Sequence, residues 1–269
     1  MSDSDVEALE RIERQAWRDL AAAAPPDFAA LAGLEMHEFG DALMLMASRV
    51  PAFRFNWLSG AGLDGADADA IPAAVARFHD AGQRNFFVQI PPSPNAGRLE
   101  ARARAAGLTA HPLAWTKFER ETRDPPRVDA TLTIREVGGA ERDLFAATAV
   151  AGYGMAPPMA KWLREIVGRP GWSCYVCFAD DEPASAGALF VDEDAAWLGI
   201  GATKPAFRRR GGQSALIARR LGDAARRGAR FAVTETSVPQ RGEPAPSHRN
   251  ILAAGFRAAY VRPNWAFPA

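Results

Sequence analysis

Hydrophobic and polar positions follow two different periods along this chain. Near its start, Val6, Leu9, Ile12, Ala16 and Leu20 recur every three or four residues in an acidic stretch, the spacing of one buried helix face. Short apolar runs bounded by glycine or proline predict strands instead, at residues 42–48, 53–58 and 85–90 and again at 184–191, 195–203 and 229–236. Helical spacing returns at residues 71–80 and 213–227, the latter with Ala215, Leu216, Ile217 and Leu221 as its apolar stripe. Asp124-Pro125-Pro126 interrupts the chain near its middle, and a fresh strand is expected over residues 130–137.

These elements repeat in order. A strand ending Trp57-Leu58-Ser59-Gly60-Ala61-Gly62 in the first half answers Trp197-Leu198-Gly199-Ile200-Gly201-Ala202 in the second. Each half then has a helix, an apolar strand followed by proline, a short helix closing on Ala106-Gly107-Leu108 or Ala254-Gly255-Phe256, and an aromatic-rich strand. Shared order and shared peptides predict a tandem duplication with repeats at 1–125 and 126–269. Strands alternating with helices imply an α/β (α+β mixed sheet) architecture, each repeat a central mixed sheet flanked by helices.

The repeats differ where the Trp strand ends. The second continues into Lys204-Pro205-Ala206-Phe207-Arg208-Arg209-Arg210-Gly211-Gly212, then Gln213-Ser214 and the helix. The first has a loop carrying Asp64, Asp67 and Asp69. Lysine and arginine balance aspartate and glutamate at 32 each over the whole chain, yet Lys204 to Arg230 holds nine basic residues against one acid, Asp223. A strand, a basic glycine-containing loop and a helix N-terminus together suit a diphosphate. Free N–H groups converge there, the helix dipole is positive, and glycine admits close approach. The segment lacks the lysine of a nucleoside-triphosphate loop and the spacing of a dinucleotide fingerprint. Nucleic acid is a minor reading, since no aromatic-interleaved basic stripe or zinc-ligand spacing accompanies the patch.

Residues 208–213 resemble the acetyl-CoA loop Q/R-x-x-G-x-G/A of the GCN5-related N-acetyltransferase (GNAT) superfamily, with Arg208 first, Gly211 central and Gln213 departing at the last position. Pro205, three residues earlier, also fits. The resemblance spans both halves and is similar to tandem GNAT proteins whose first repeat is degenerate. It implies a fourth and a fifth strand that splay apart, with the pantetheine arm in the gap. Backbone groups of Ile200, Gly201, Ala202 and Thr203 would hold pantetheine. Those of Arg208, Arg209, Arg210, Gly211, Gly212, Gln213 and Ser214 would hold the pyrophosphate, and Asn250 would reach the pantetheine or thioester region. The three aspartates of the first repeat would repel that ligand, leaving the repeat to cover the active domain, shape a cleft or form a homodimer contact.

The implied activity is transfer of an acetyl group from acetyl-CoA to a small-molecule or peptide amine by direct attack in a ternary complex. Glu235, a carboxylate near the end of its strand, is the candidate base or ammonium anchor; His248 is a weaker candidate, read as an exposed loop residue. The family's catalytic tyrosine position holds Ile251, so Tyr260 or water is the candidate acid. The Gly152–Pro158 loop and Trp162 would overhang the acceptor. A non-catalytic acyl-CoA-binding or regulatory protein is the alternative. Cys174 and Cys177, three apart on a strand, point to opposite faces and read as structural thiols rather than metal ligands. No metal and no membrane contact is expected. With no apolar span or leader in evidence, a reducing cytoplasm is the expected compartment.

Overall fold

The computed structural model describes residues 3–62, 69–127 and 132–268. In chain order it contains α1 (Asp3–Ala22), α2 (Pro26–Ala32), β1 (Leu34–Phe39), β2 (Ala42–Ala47), β3 (Trp57–Ser59), α3 (Ala70–Asp80), β4 (Phe87–Gln89), α4 (Ala96–Ala105), β5 (Thr109–Ala110) and β6 (Trp115–Glu121). There follow β7 (Thr133–Glu136), α5 (Arg142–Tyr153), α6 (Ala160–Leu163), β8 (Trp172–Ala179), β9 (Glu182–Asp192), β10 (Ala195–Thr203), α7 (Gly212–Arg226), β11 (Phe231–Ser237), α8 (Pro246–Ala253), β12 (Arg257–Arg262) and β13 (Asn264–Ala266). The chain forms two compact units: Met1–Ala22, Pro26–Lys117 and Ala259–Ala269 make unit 1, and Ala23–Pro25 with Phe118–Ala258 make unit 2. No helix among the described residues is long and apolar enough to cross a membrane.

Unit 1 is a six-stranded mixed sheet in the order β1-β2-β3-β4-β13-β5. Its neighbours are antiparallel except the parallel β3–β4 pair, Trp57↔Phe87 and Leu58↔Val88. All six residues of β2 are buried, which explains why it reads as one unbroken apolar run. The stripe of α1 is buried as its spacing predicts. Strand β1 was not foreseen; as a partly exposed edge carrying Glu35, His37 and Glu38 it has no apolar run to betray it. The expected strand over residues 53–58 is instead a short 3₁₀ turn, Phe53–Phe55, followed by β3. The buried Asn56 side chain causes the difference. Its Oδ1 accepts from Ala47 N at 2.9 Å and its Nδ2 donates to Val50 O and Ala52 O, pairing backbone groups that a longer strand would have served.

The second sheet has seven strands in the order β12-β6-β11-β10-β9-β8-β7, of which β7 to β11 lie wholly in unit 2. Strands β7 to β10 form an antiparallel meander, and β10 and β11 are parallel. Leu216, Ile217 and Leu221 of the α7 stripe pack with Phe118, Leu189, Leu198, Ile251 and Phe256 in one core. The expected strand over residues 130–137 is seen as β7; its residues 130 and 131 lie outside the described ones. Cys174 and Cys177 are buried free thiols, each pushed up in pKa by desolvation, Cys177 to about 11.

Candidate functional site

Two adjacent strands of unit 2 part company at one point. The β10–β11 ladder pairs Ala195↔Phe231, Ala196↔Ala232 and Trp197↔Val233, then stops, although β10 runs on to Thr203 and β11 to Ser237. Beyond it the Thr234 hydroxyl reaches across, donating to Leu198 O at 2.9 Å. On its other edge β10 loses register with β9 between Gly199 and Ala202, a bulge. Ile200 within it has φ +50°, a left-handed conformation that a β-branched residue adopts only under constraint. Gly199 is required because a Cβ there would lie 2.0 Å from the Trp197 ring, so the glycine makes room for an indole. On the opposite flank, Gly152 of α5 lets the helix close on the end of β10, where a Cβ would come within 2.7 Å of Ala202 Cβ and 2.9 Å of Thr203 N.

Past the bulge, Pro205 opens a short 3₁₀ turn and Arg208 returns to extended backbone. Arg209 (φ +66°) and Gly211 (φ +81°) are left-handed, which turns the chain sharply into α7. Gly211 is the N-cap, and no side chain caps the helix. The first-turn N–H groups, those of Gly212, Gln213 and Ser214, therefore have no intrahelical partner and face outward beside three arginines. A Cβ at Gly211 would meet nothing within 4 Å, so space is open there; at Gly212 it would strike Ser185 Oγ at 2.5 Å. Gly212 thus seats the helix on β9, while Ser185 Oγ, 3.0 Å from Thr203 Oγ1, ties β9 to the end of β10. Arg208 Nε donates to Thr203 O at 3.4 Å, and Arg210 reaches Asp180 at 3.3 Å and stacks over Phe207. These side chains are exposed and tethered by weak contacts, fit for an anionic ligand.

Two sequence-nominated polar residues meet: Asn250 on α8 donates through Nδ2 to Gln213 Oε1 at 2.8 Å. Gln213, the departure from the loop consensus, therefore links the helix start to α8. Glu235 is half-buried on β11, beyond the last ladder pair with β10. His248 was expected on an exposed loop; it is half-buried on α8, its ring 5.1 Å from that of Phe118. Ile251 is core. In the expected acceptor loop Tyr153, Pro157 and Pro158 are exposed, but Trp162 is fully buried and serves packing.

Tyr260 belongs to unit 1, where its hydroxyl donates to Glu10 Oε1 at 2.7 Å. Glu10 also accepts from Arg262 at 2.6 Å and from Ser59, and Lys117 lies 3.5 Å away. Glu13 pairs with Lys117 and Arg262. Desolvation pushes the Glu10 carboxyl up, but Arg262, Lys117, the Tyr260 hydroxyl and Arg14 together prevail and hold it at about 2. This buried charge cluster sits where β3, the counterpart of β10, ends. Gly60 (φ +82°) abuts Arg14 so closely that a Cβ would lie 2.7 Å from Nη1. Asp64 and Asp67 of the following loop lie outside the described residues, and Asp69 precedes α3 and faces Arg102 at 3.6 Å.

One residue of the site escaped the sequence reading. Arg220, in the middle of the α7 basic run, is 3 % exposed and lies against the bulge. Its Nη1 donates to Ala188 O and Gly199 O, each at 3.0 Å, and its Nε to Leu216 O. Gly187 clears its path, since a Cβ there would lie 3.1 Å from Cζ. Desolvation lowers its pKa to about 10, so it stays charged at neutral pH.

No family model matches the sequence, and no curated protein matches it. Solved structures do match over the whole length. A GCN5-related N-acetyltransferase from Kribbella flavida superposes with TM-score 0.64 at 14 % identity, covering 98 % of this chain and 96 % of that one. Another from Sphaerobacter thermophilus gives 0.60 at 16 % identity, with 98 % and 93 % covered. A tandem GNAT protein from the clavulanic acid biosynthesis pathway gives 0.57 at 16 % identity, with 100 % and 97 % covered. The chain has a tandem GNAT fold. In GNAT terms β10 and β11 are the fourth and fifth strands of the second repeat, and their divergence is the splay that the resemblance implied. The basic loop and the start of α7 adjoin that splay within the same GNAT unit.

Proposed function

We propose that this protein is an acetyl-CoA-dependent N-acetyltransferase whose second repeat, residues 126–269, carries the site. The observation that carries the reading is the uncapped α7 N-terminus, opened by a left-handed Gly211 with free space beside it and set among arginines next to the strand splay. Backbone N–H groups of Arg208 to Ser214 would hold the pyrophosphate, and the arginine side chains would supply counter-charge. Ile200 to Thr203 would bind pantetheine where β10 has lost its ladder, and N–H groups of the bulge would stabilise the oxyanion of the tetrahedral intermediate. Asn250, held by Gln213, would complete that wall.

An acceptor amine enters as an ammonium and must lose a proton before its nitrogen attacks the thioester carbonyl. Glu235 would take that proton, directly or through water, or hold the ammonium in place. Ile251 carries no acid and the Tyr260 hydroxyl donates to Glu10, so water would protonate the departing thiolate. The first repeat, 1–125, would bind no acetyl-CoA. The end of β3 is filled by the protein's own Arg14, Glu10 and Arg262, which supports that division of labour. A panel of small-molecule and peptide amines with acetyl-CoA, read by release of free CoA, tests the activity; no release with any amine would refute it. The second reading, an acyl-CoA-binding protein without turnover, is favoured by the apolar Ile251 at the family's tyrosine position. Tight acetyl-CoA binding with an empty amine panel would select it.

A further inference from the structure

Arg220 is costly to the fold. Its guanidinium is buried, and no carboxylate pairs with it among the described residues. Asp223, the one acid on its helix, is engaged by Arg219 at 2.9 Å and by Arg226. A buried charge with only carbonyl partners destabilises a structure unless something is gained in return. Those partners are informative. Ala188 lies on β9 and Gly199 on β10, opposite each other in register at the last pair before the bulge. Arg220 Nη1 therefore clamps the ladder where it fails, and Nη2 lies 3.6 Å from where a Gly201 Cβ would be. Between those two glycines sits Ile200 with its strained φ.

Given acyl transfer at the β10 bulge, we propose that Arg220 is a positioning residue for that reaction: it fixes the Gly199 carbonyl and the Ile200–Gly201 backbone so that the bulge polarises the thioester, and its unneutralised charge favours the oxyanion that forms there. The site chemistry needs N–H groups held rigidly where negative charge develops, and a fixed positive charge behind them adds to the same field. Lysine would not serve equally, because a single ammonium cannot reproduce the planar guanidinium that bonds Leu216, Ala188 and Gly199 together.

The test is infrared difference spectroscopy of carbonyl-labelled acetyl-CoA bound to the full chain, with steady-state kinetics on Arg220→Met and Arg220→Lys. Wild type should move the bound thioester carbonyl to lower frequency than in solution. Both variants should bind acetyl-CoA within about threefold of wild type, because the pyrophosphate loop is untouched. Their carbonyl bands should return toward the solution value, and kcat should fall by about tenfold to a hundredfold with little change in KM for acetyl-CoA. A purely structural role would lower the melting temperature without moving the band. If Arg220→Met does not fold, the wild-type band and the lysine variant decide. An unshifted band in wild type, or a folded variant that keeps both band and kcat, would overturn the proposal. Wild type that fails to bind acetyl-CoA would instead overturn the acyl-transfer reading, and the proposal with it.

Discussion

Gly211→Asp isolates the loop's chemistry from the fold. Position 211 is left-handed, φ +81°, and a new Cβ there meets nothing within 4 Å, so the substitution costs backbone strain but no clash. That strain is about 1 kcal/mol, and aspartate tolerates the left-handed region better than most residues and suits a helix N-cap. The melting temperature should therefore fall by no more than about 4 °C. Ligand binding should respond far more. A carboxylate about 5 Å from a diphosphate charge costs about 3 kcal/mol at an effective dielectric constant of about 20, and less at an exposed rim. That is a loss of up to about 150-fold in acetyl-CoA affinity. Gly211→Ala is the control, with at least as much backbone strain and no charge, and should bind within about threefold of wild type. Calorimetric titration with acetyl-CoA reads all three proteins. Unchanged affinity in Gly211→Asp would refute the loop assignment. Equal losses in both variants would show that backbone conformation, not charge, was at stake.

Other consequences follow from named contacts. Glu235→Gln should spare acetyl-CoA binding and lower kcat about a hundredfold if Glu235 is the base, and equal rates would return it to a structural role. Asn250→Ala removes the Gln213 hydrogen bond of 2.8 Å and should weaken acetyl-CoA binding about fivefold, at about 1 kcal/mol, as titration will show. In unit 1, the Glu10 carboxyl is held at about 2 against a usual 4.5, chiefly by Arg262 and Lys117 overcoming desolvation. A depressed carboxylate stabilises the fold above its unfolded value, so this contribution should be present above pH ~4.5 and lost as pH falls toward 2. Urea denaturation across that range checks it. Glu10→Gln, which leaves Arg262 and Lys117 uncompensated, should cost about 3–5 kcal/mol at neutral pH, and a loss below 1 would deny the cluster its role.

What could be read from the sequence was local. The Trp197 strand, the turn of arginines and glycines, and the α7 stripe lie within thirty residues of one another, and their periods are unambiguous. The repeat was legible because the halves share peptides at matching places. Long-range pairings were not. Tyr260 is separated by 250 residues from the Glu10 it bonds, so nothing near it revealed that its hydroxyl is occupied in unit 1. Arg220 was hidden by its neighbours. Within a basic run it reads as one more solvated charge, and it is the facing Gly187 that reveals the space it fills. Strand β13 lies between β4 and β5, so the last residues of the chain complete the sheet of the first; no spacing rule announces that.

The most direct test of the account is titration of the full chain with acetyl-CoA and, separately, with ATP. It predicts one acetyl-CoA site per chain, none for ATP, and a site weakened by up to about 150-fold in Gly211→Asp. No acetyl-CoA binding, or two equivalent sites, would contradict the claim that the second repeat alone is built to hold this ligand.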